Sequence, residues 1–199
     1  MHHYNYVKNF LYKEEADALL EFLETKVPWG QVRYFKPERG YVVTPRLTWV
    51  AGFHSNTFHP LEACVPNPIP EFLNPLKDLV EEYLQTSFNF ILFSKYRDQN
   101  DSITYHSDDE KFLGKNPTIA SLTLGNPRPF ILKNKKTKQI DSFDLSHGDL
   151  FVMKNNCQSD FFHAVPKQKE SCLPRYSMTF RKALNEYGSN NYYTYNLAK

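Results

Sequence analysis

Near the middle of the chain stands His106-Ser107-Asp108, His163 follows far downstream, and Arg175-Tyr176-Ser177-Met178-Thr179-Phe180-Arg181 comes after it. Two imidazoles and a carboxylate that close on one face of a metal leave three coordination positions open, the ligand set of non-haem Fe(II) oxygenases. On an extended segment His106 and Asp108 are i and i+2, so both side chains leave the same face and share one ion. A His-x-Asp alone carries little weight, because seven histidines make chance matches common. Its weight comes from the arginine-bearing segment that follows His163.

That segment alternates strictly. Arg175, Ser177, Thr179 and Arg181 face one way and Tyr176, Met178 and Phe180 the other, so one side is core and the other a cleft. At roughly 3.3 Å per residue the two arginine Cα atoms lie about 20 Å apart, close enough for long side chains to bend inward around a small dianion over Ser177 and Thr179. 2-Oxoglutarate, with a carboxylate at each end, matches that description, and guanidinium groups hold carboxylates bidentately where lysine does not.

Something must position these groups. From Lys13 to about Lys26, Ala16, Leu19, Leu20 and Leu23 recur at i, i+3, i+4 and i+7, predicting an amphipathic helix with Glu14, Glu15 and Asp17 near its positive end. A second helix is expected from about Pro70 to Gln85, with Leu73, Leu76, Val80, Tyr83 and Leu84 on one stripe behind a proline-rich entry. The period then changes to two. Phe90 to Tyr96, Ile119 to Leu124, Phe130 to Lys133, Ile140 to Leu145, Leu150 to Met153 and Arg175 to Arg181 read as short strands, predicting a mostly β sandwich or jelly roll with flanking helices. Lys133 to Lys138 forms a hairpin tip. Gly30 to His59 lacks sustained periodicity and is too long for a plain connector, which marks a functional loop. The tail, 185–199, is peripheral.

The 199 residues suit one domain with a real core. Sixteen Phe and 13 Tyr fit either strands or base-stacking surfaces. A net charge of +2 means that any nucleic-acid footprint is a local patch. Cys64, Cys157 and Cys172 are odd in number and lack C-x-x-C spacing, which indicates neither a disulfide framework nor zinc and favours a reducing, intracellular setting, nuclear or cytoplasmic. No signal-peptide pattern or membrane-length apolar run is present in the sequence.

On these residues the chain resembles the AlkB family of Fe(II)/2-oxoglutarate dioxygenases, which oxidatively remove alkyl groups from damaged nucleobases. The family shows Asn-x-Tyr, His-x-Asp, a distal His and Arg-x-Asn-x-Thr-x-Arg; here stand Ser94-Lys95-Tyr96, His106-Ser107-Asp108, His163 and Arg175-x-Ser177-x-Thr179-x-Arg181. The resemblance implies a double-stranded β-helix in which His106, Asp108 and His163 hold Fe(II). It further implies that Tyr96 and Arg175 bind the remote carboxylate of 2-oxoglutarate, with Ser94, Ser177 and Thr179 beside them, and that Arg181 serves the end near the metal. Serine replaces asparagine at 94 and 177; its hydroxyl donates one hydrogen bond but lacks the reach and second group of an amide.

Residues Thr44 to Phe58, within 30–60, resemble the nucleotide-recognition lid of the members that act on nucleic acid. That likeness makes Arg46, Trp49, Asn56 and Phe58 substrate-binding candidates, with Phe58 as the aromatic facing an extruded base and the His106 imidazole as the opposite plane. Asp109 and Glu110 extend the ligand motif as in the duplex-acting branch, and a carboxylate there would favour a cationic methylated adenine or cytosine over the undamaged base. Without the family, Asp109-Glu110 reads as a solvated turn and Phe58 as a core aromatic. His147-Gly148-Asp149 resembles the family's turn into a core strand.

Backbone grip is expected from Arg46, Lys133 to Lys138, and Lys167 with Lys169, for which solubilising charge is the bland alternative. Arg39-Gly40 stands where the duplex-specialised branch has an apolar wedge, and Lys167-Gln168-Lys169-Glu170 is less basic than that branch's loop. The expectation is therefore a monomer acting on alkylated DNA or RNA, single-stranded in preference. Two other classes share the scaffold: a dioxygenase acting on protein or a small molecule, and a noncatalytic nucleic-acid-binding module.

Overall fold

The computed structural model describes residues 2–36, 40–52 and 67–184. In chain order its elements are β1 (Tyr4–Val7), α1 (Lys13–Thr25), β2 (Arg33–Lys36), β3 (Gly40–Val43), β4 (Leu47–Gly52), α2 (Asn74–Leu84), β5 (Phe90–Tyr96), β6 (Ile103–His106), β7 (Ile119–Gly125), β8 (Arg128–Asn134), β9 (Ile140–Leu145), β10 (Leu150–Met153), α3 (Cys157–Asp160), β11 (Phe161–Val165) and β12 (Arg175–Arg181).

Helix α1 begins where the Glu15 carboxylate accepts the Tyr12 backbone N–H at 3.0 Å, satisfying a donor that the first turn leaves open. Its Ala16 and Leu23 are fully buried. Helix α2 follows a short 3-10 turn at Glu71–Leu73, so the second predicted helix starts later than its proline-rich entry suggested. Leu73, Leu76 and Val80 are buried, whereas Tyr83 stands exposed at the margin of the stripe.

The strands form two antiparallel sheets facing each other, the jelly-roll arrangement expected. The larger runs β1-β10-β7-β12-β5-β4, the smaller β6-β11-β8-β9, and β2-β3 is a separate hairpin. One apolar cluster packs the helices onto the outside of the large sheet, with Leu23, Leu76, Val80, Tyr176, Met178 and Phe180 among its members. A second fills the space between the sheets with Phe90, Phe130, Leu132, Leu145, Phe151 and Phe161. Strand β12 lies between β5 and β7 and so is paired on both sides. Its alternation therefore sends Tyr176, Met178 and Phe180 to the helices and the arginines between the sheets, as read from the sequence.

The segment from Gly30 onward is more regular than expected. It forms the β2-β3 hairpin and then β4, which joins the edge of the large sheet through Leu47↔Lys95 to Gly52↔Phe90. Its strands are short and its two-residue alternation is interrupted by Gly and Pro, which hides the pattern from a periodicity reading. β1, β6 and β11 also escaped that reading; each is short and, unlike the equally short but wholly apolar β10, mixes polar and apolar residues over its few positions. The hairpin expected at Lys133 to Lys138 is present, but Lys133 and Asn134 still belong to β8 and the tip begins at Lys135. Among the described residues no helix is long and apolar enough to cross a membrane, and Cys157 and Cys172 are free thiols. Asn56, Phe58, Arg39, Cys64 and the tail from 185 lie outside the described residues.

Candidate metal and cosubstrate site

The small sheet supplies the metal side. β6 ends at His106, which pairs directly with His163 on β11, and the two rings lie 4.1 Å apart between centroids. Asp108 is not on the strand: β6 stops two residues earlier and a loop carries the carboxylate in. The i, i+2 geometry assumed for a continuous strand is thus replaced by a turn with the same result. The Ser107 hydroxyl donates to the Phe161 carbonyl at 3.0 Å, and the buried Asp108 N–H donates to Gln158 Oε1 at 2.9 Å. Gln158 Nε2 in turn contacts Met153 Sδ at 3.3 Å.

The resulting donor set fits a ferrous ion. One ligand atom from each of His106, Asp108 and His163 lies within 4.8 Å of the others. His106 Nε2 is 3.6 Å from Asp108 Oδ1 and His163 Nε2 is 3.8 Å from Oδ2. The Thr104 carbonyl, 2.8 Å from His106 Nδ1, fixes that nitrogen as the protonated one and leaves Nε2 as a lone-pair donor. Burial lowers the pKa of both imidazoles, His163 to about 3 with His106 adding to the effect, so both are neutral ligands. Burial alone would raise Asp108, but charge interactions led by the Arg181 guanidinium outweigh it and keep the carboxyl below its ordinary value.

The large sheet supplies the facing wall, and its register arranges that wall in rows. Arg175 lies opposite Tyr96, Ser177 opposite Ser94, Thr179 opposite Leu92 and Arg181 opposite Phe90. Thr48 and Thr123 extend the Ser94-Ser177 row on either side, giving four hydroxyls across four strands. Gly125 ends β7 beside Arg175 with φ +81°, and a Cβ there would meet the Pro174 carbonyl at 2.7 Å, so glycine is required for the chain to enter β12 at this place. Arg175 is fully buried; its guanidinium donates to Thr123 Oγ1 at 2.9 Å and lies 5.3 Å from the centre of the Tyr96 ring. At the other end Arg181 donates to Asp108 Oδ2 at 2.8 Å, joining the two walls.

A cleft partly open to solvent lies between the walls. Its lining includes His106, Asp108, His163, Ser94, Tyr96, Arg175, Ser177, Thr179, Arg181 and Arg46. Three guanidinium groups against one carboxylate give it a positive field suited to a small dianion. The structure thus brings together every residue read as metal-binding or cosubstrate-binding, and one of those read as substrate-binding.

Trp49 is a correction. It pairs with Phe93 on β5, and its ring packs against Phe93 and Phe22 in the helix-side core, on the opposite face from the pocket. The alternation of β4 decides this, since Thr48 and Val50 take the pocket face. Asp109 is exposed, whereas Glu110 is half-buried with Oε2 lacking a partner among the described residues; burial, then the Asp108 charge, pushes its carboxyl up to about 7.

Two positioning residues escaped the sequence reading. Gln158 sits in a four-residue helix with no pattern to mark it. Arg128 is fully buried and donates to the carbonyls of Asp98, Asp101 and Pro166 at 2.7 to 2.9 Å, tying together the loops at the Tyr96-Arg175 end. A basic residue beside a predicted strand reads as solvated, so only the fold exposes its role.

A jelly roll with two histidines and an aspartate on one wall and arginines on the other defines a non-haem iron oxygenase that uses a keto-acid cosubstrate. The chain belongs to the 2OG-Fe(II) oxygenase superfamily, whose model matches residues 3–185. Within it the chain is AlkB-like. It is 37% identical over 183 residues to the alpha-ketoglutarate-dependent dioxygenase alkB homolog 3 of Mus musculus, covering 86% of this chain and 63% of that protein's length. Over 185 residues it is 31% identical to the DNA oxidative demethylase ALKBH2 of Mus musculus, covering 86% of this chain and 77% of that protein. Among solved structures, OsALKBH1 superposes with a TM-score of 0.66 at 17% identity, over 92% of this chain and 99% of that one. A prolyl hydroxylase of Trichoplax adhaerens superposes at 0.62 and 13% identity, over 92% and 84%. These two likenesses speak to the fold. The cofactors of the family are Fe(II) and 2-oxoglutarate, for which His106, Asp108 and His163 form the metal triad.

Proposed function

We propose that this chain oxidatively demethylates N-alkylated bases such as 1-methyladenine and 3-methylcytosine in DNA or RNA, using Fe(II), 2-oxoglutarate and O2 and releasing aldehyde. The observation that carries the reading is the metal triad facing an arginine-lined wall in a chain similar to a DNA oxidative demethylase. When bound, iron and 2-oxoglutarate supply the oxidation of the alkyl C–H bond, and the resulting N-hydroxyalkyl base falls apart to aldehyde and repaired base.

The chain's own residues bind, orient and select. His106, Asp108 and His163 hold the metal. Arg175, with Tyr96, Ser94 and Ser177 beside it, takes the remote carboxylate of the keto acid; Thr179 lines the middle and Arg181 serves the end near the metal. Burial strengthens these charge-assisted contacts by removing competing water. Residues 30–60 act as the nucleotide-recognition lid of a single domain spanning 1–199, with Arg46 on a phosphate, Asn56 beside the base and Phe58 stacked upon it. Asp109 and Glu110 set the preference for cationic lesions, and the unpartnered Glu110 oxygen supports that role. The substrate is single-stranded in preference, the enzyme a monomer, and its setting intracellular, nuclear or cytoplasmic.

Formaldehyde release across oligonucleotides bearing 1-methyladenine, 3-methylcytosine or 6-methyladenine, single- and double-stranded, tests the reading. Release from the first two is expected. Turnover of 2-oxoglutarate with no release from any nucleic acid would move the substrate to protein or a small molecule.

A further inference from the structure

The face of the small sheet turned away from the metal carries aromatic rings that neither core uses. Strand geometry puts them there. On β11 His163 points between the sheets, so Phe162 points outward. On β6 a bulge against β11 interrupts the alternation, so Ile103 and His106 both face inward and Tyr105 between them is left on the exposed side. Phe162 is 37% and Tyr105 42% exposed.

Each ring has a lysine over it. Lys133 pairs with Phe162 across β8 and β11, and its ammonium reaches on to lie 5.2 Å from the centre of the Tyr105 ring. The Lys135 ammonium lies 4.6 Å from the centre of the Phe162 ring while donating to the Gln158 carbonyl at 2.8 Å. Exposed Lys136 and Lys138 follow in the same hairpin. Of the carboxylates near this face, Asp144 sits at the far end of β9 opposite Pro129, and the part-exposed Asp160, which precedes β11, lies 3.8 Å from His3 Nδ1. Purely solubilising lysines would leave their ammonium groups in water and would not need large exposed rings beneath them.

We propose that this outer face is a stacking platform for single-stranded nucleic acid. Tyr105 and Phe162 take the faces of bases flanking the one in the pocket, and Lys133 with the hairpin lysines takes the intervening phosphates. The combination of π-faces and cations is what an unpaired strand can use; a duplex keeps its base faces stacked on one another. Access is direct, since β6 is the edge strand of its sheet and ends in the metal ligand His106, one residue from Tyr105. The proposal rests on the nucleic-acid reading above and deepens it.

The test is equilibrium binding of unmodified dT12, rU12 and a 12-base-pair duplex by fluorescence anisotropy, for the parent chain and the Tyr105→Thr/Phe162→Thr double variant. Threonine keeps the strand propensity. The double variant is expected to lose about tenfold or more in affinity for the single strands, DNA and RNA alike, with the duplex unaffected. Lys133→Gln is expected to flatten the logarithmic salt dependence by about 0.7. A 5-iodouracil oligonucleotide photocrosslinked to the parent chain, which needs no variant to fold, should place its adduct on Tyr105 or Phe162. Unchanged single-strand affinity in a folded double variant, equal losses on duplex, or crosslinks confined to other residues would each overturn the platform. Demethylation of a methylated trinucleotide, too short to span the platform, is scored separately, so the catalytic reading can stand while the platform fails, and the reverse.

Discussion

Gln158→Leu removes the hydrogen-bond acceptor from behind the metal site, together with the weak Nε2 contact to Met153 Sδ. The buried Asp108 N–H, now held by Gln158 Oε1 at 2.9 Å, would have no partner at that position, and an unsatisfied buried N–H costs about 1–3 kcal/mol. In the metal-free protein the 107–110 loop relaxes toward water and recovers much of that cost. Metal binding must then restore the carboxylate to the two imidazoles, so the penalty appears as lost affinity. At about 1.4 kcal/mol per tenfold this amounts to roughly 10- to 100-fold, the range typical of partners that orient metal ligands. Calorimetric titration of the metal-free protein with Mn(II), a redox-silent substitute for Fe(II), reads it directly, with circular dichroism confirming the fold. A folded Gln158→Leu protein that binds Mn(II) within about twofold of the parent would refute the reasoning, because the hydrogen bond would then do nothing for the ligand it holds.

Asp108→Ala takes away the single anionic ligand of the triad and is expected to abolish both Mn(II) binding and formaldehyde release; demethylation at the parent rate would exclude the site. Phe58→Ala should harm reaction on methylated nucleic acid much more than substrate-free decarboxylation of 2-oxoglutarate, and equal losses in the two assays would remove Phe58 from the base pocket. Ser177→Asn places an amide beside Ser94 on the pocket wall and should lower the dissociation constant for 2-oxoglutarate, an effect checked by titration in the presence of Mn(II). Burial would raise the Asp101 carboxyl, but hydrogen bonds and charge from Arg97, with Arg128 nearby, hold it below its ordinary value. A depressed folded pKa confers stability above the unfolded value of about 3.9 that is lost as pH falls through the folded one. Asp101→Asn should therefore cost about 1–2 kcal/mol near neutrality, with half-exposed Arg97 screened by solvent, and the gap in melting temperature should close in acid.

Helices α1 and α2 and the longer strands were legible because each carries several repeats of its own period, and four-residue β10 because it is apolar throughout. β5, β9, β10 and β12 begin and end where the sequence pattern places them. The residues that line the pocket, the metal triad among them, were legible for a different reason: their types are rare in combination, so order and residue type pointed to them even though Asp108 arrives by a loop. Trp49 was misread because a likeness in sequence does not say which face of β4 points inward, and that is set by its register against β5. Gln158 and Arg128 were invisible because their partners are backbone groups, of Asp108, Asp98, Asp101 and Pro166, brought near only by folding. Tyr105 and Phe162 lie on strands of four and five residues, too short to announce a face, so the side they occupy is set by the pairing of β6 with β11 and β11 with β8.

With the metal triad on one layer and the Arg175 and Arg181 guanidinium groups on the other, a bound metal and keto acid would act as a cross-brace. Neither layer alone presents the whole set of pocket groups, so the site depends on the spacing between them, which the Arg181–Asp108 contact spans. Loading the enzyme should thus tighten the barrel as a whole, and substitutions deep between its walls, far from any reacting atom, should register first as poor cofactor retention.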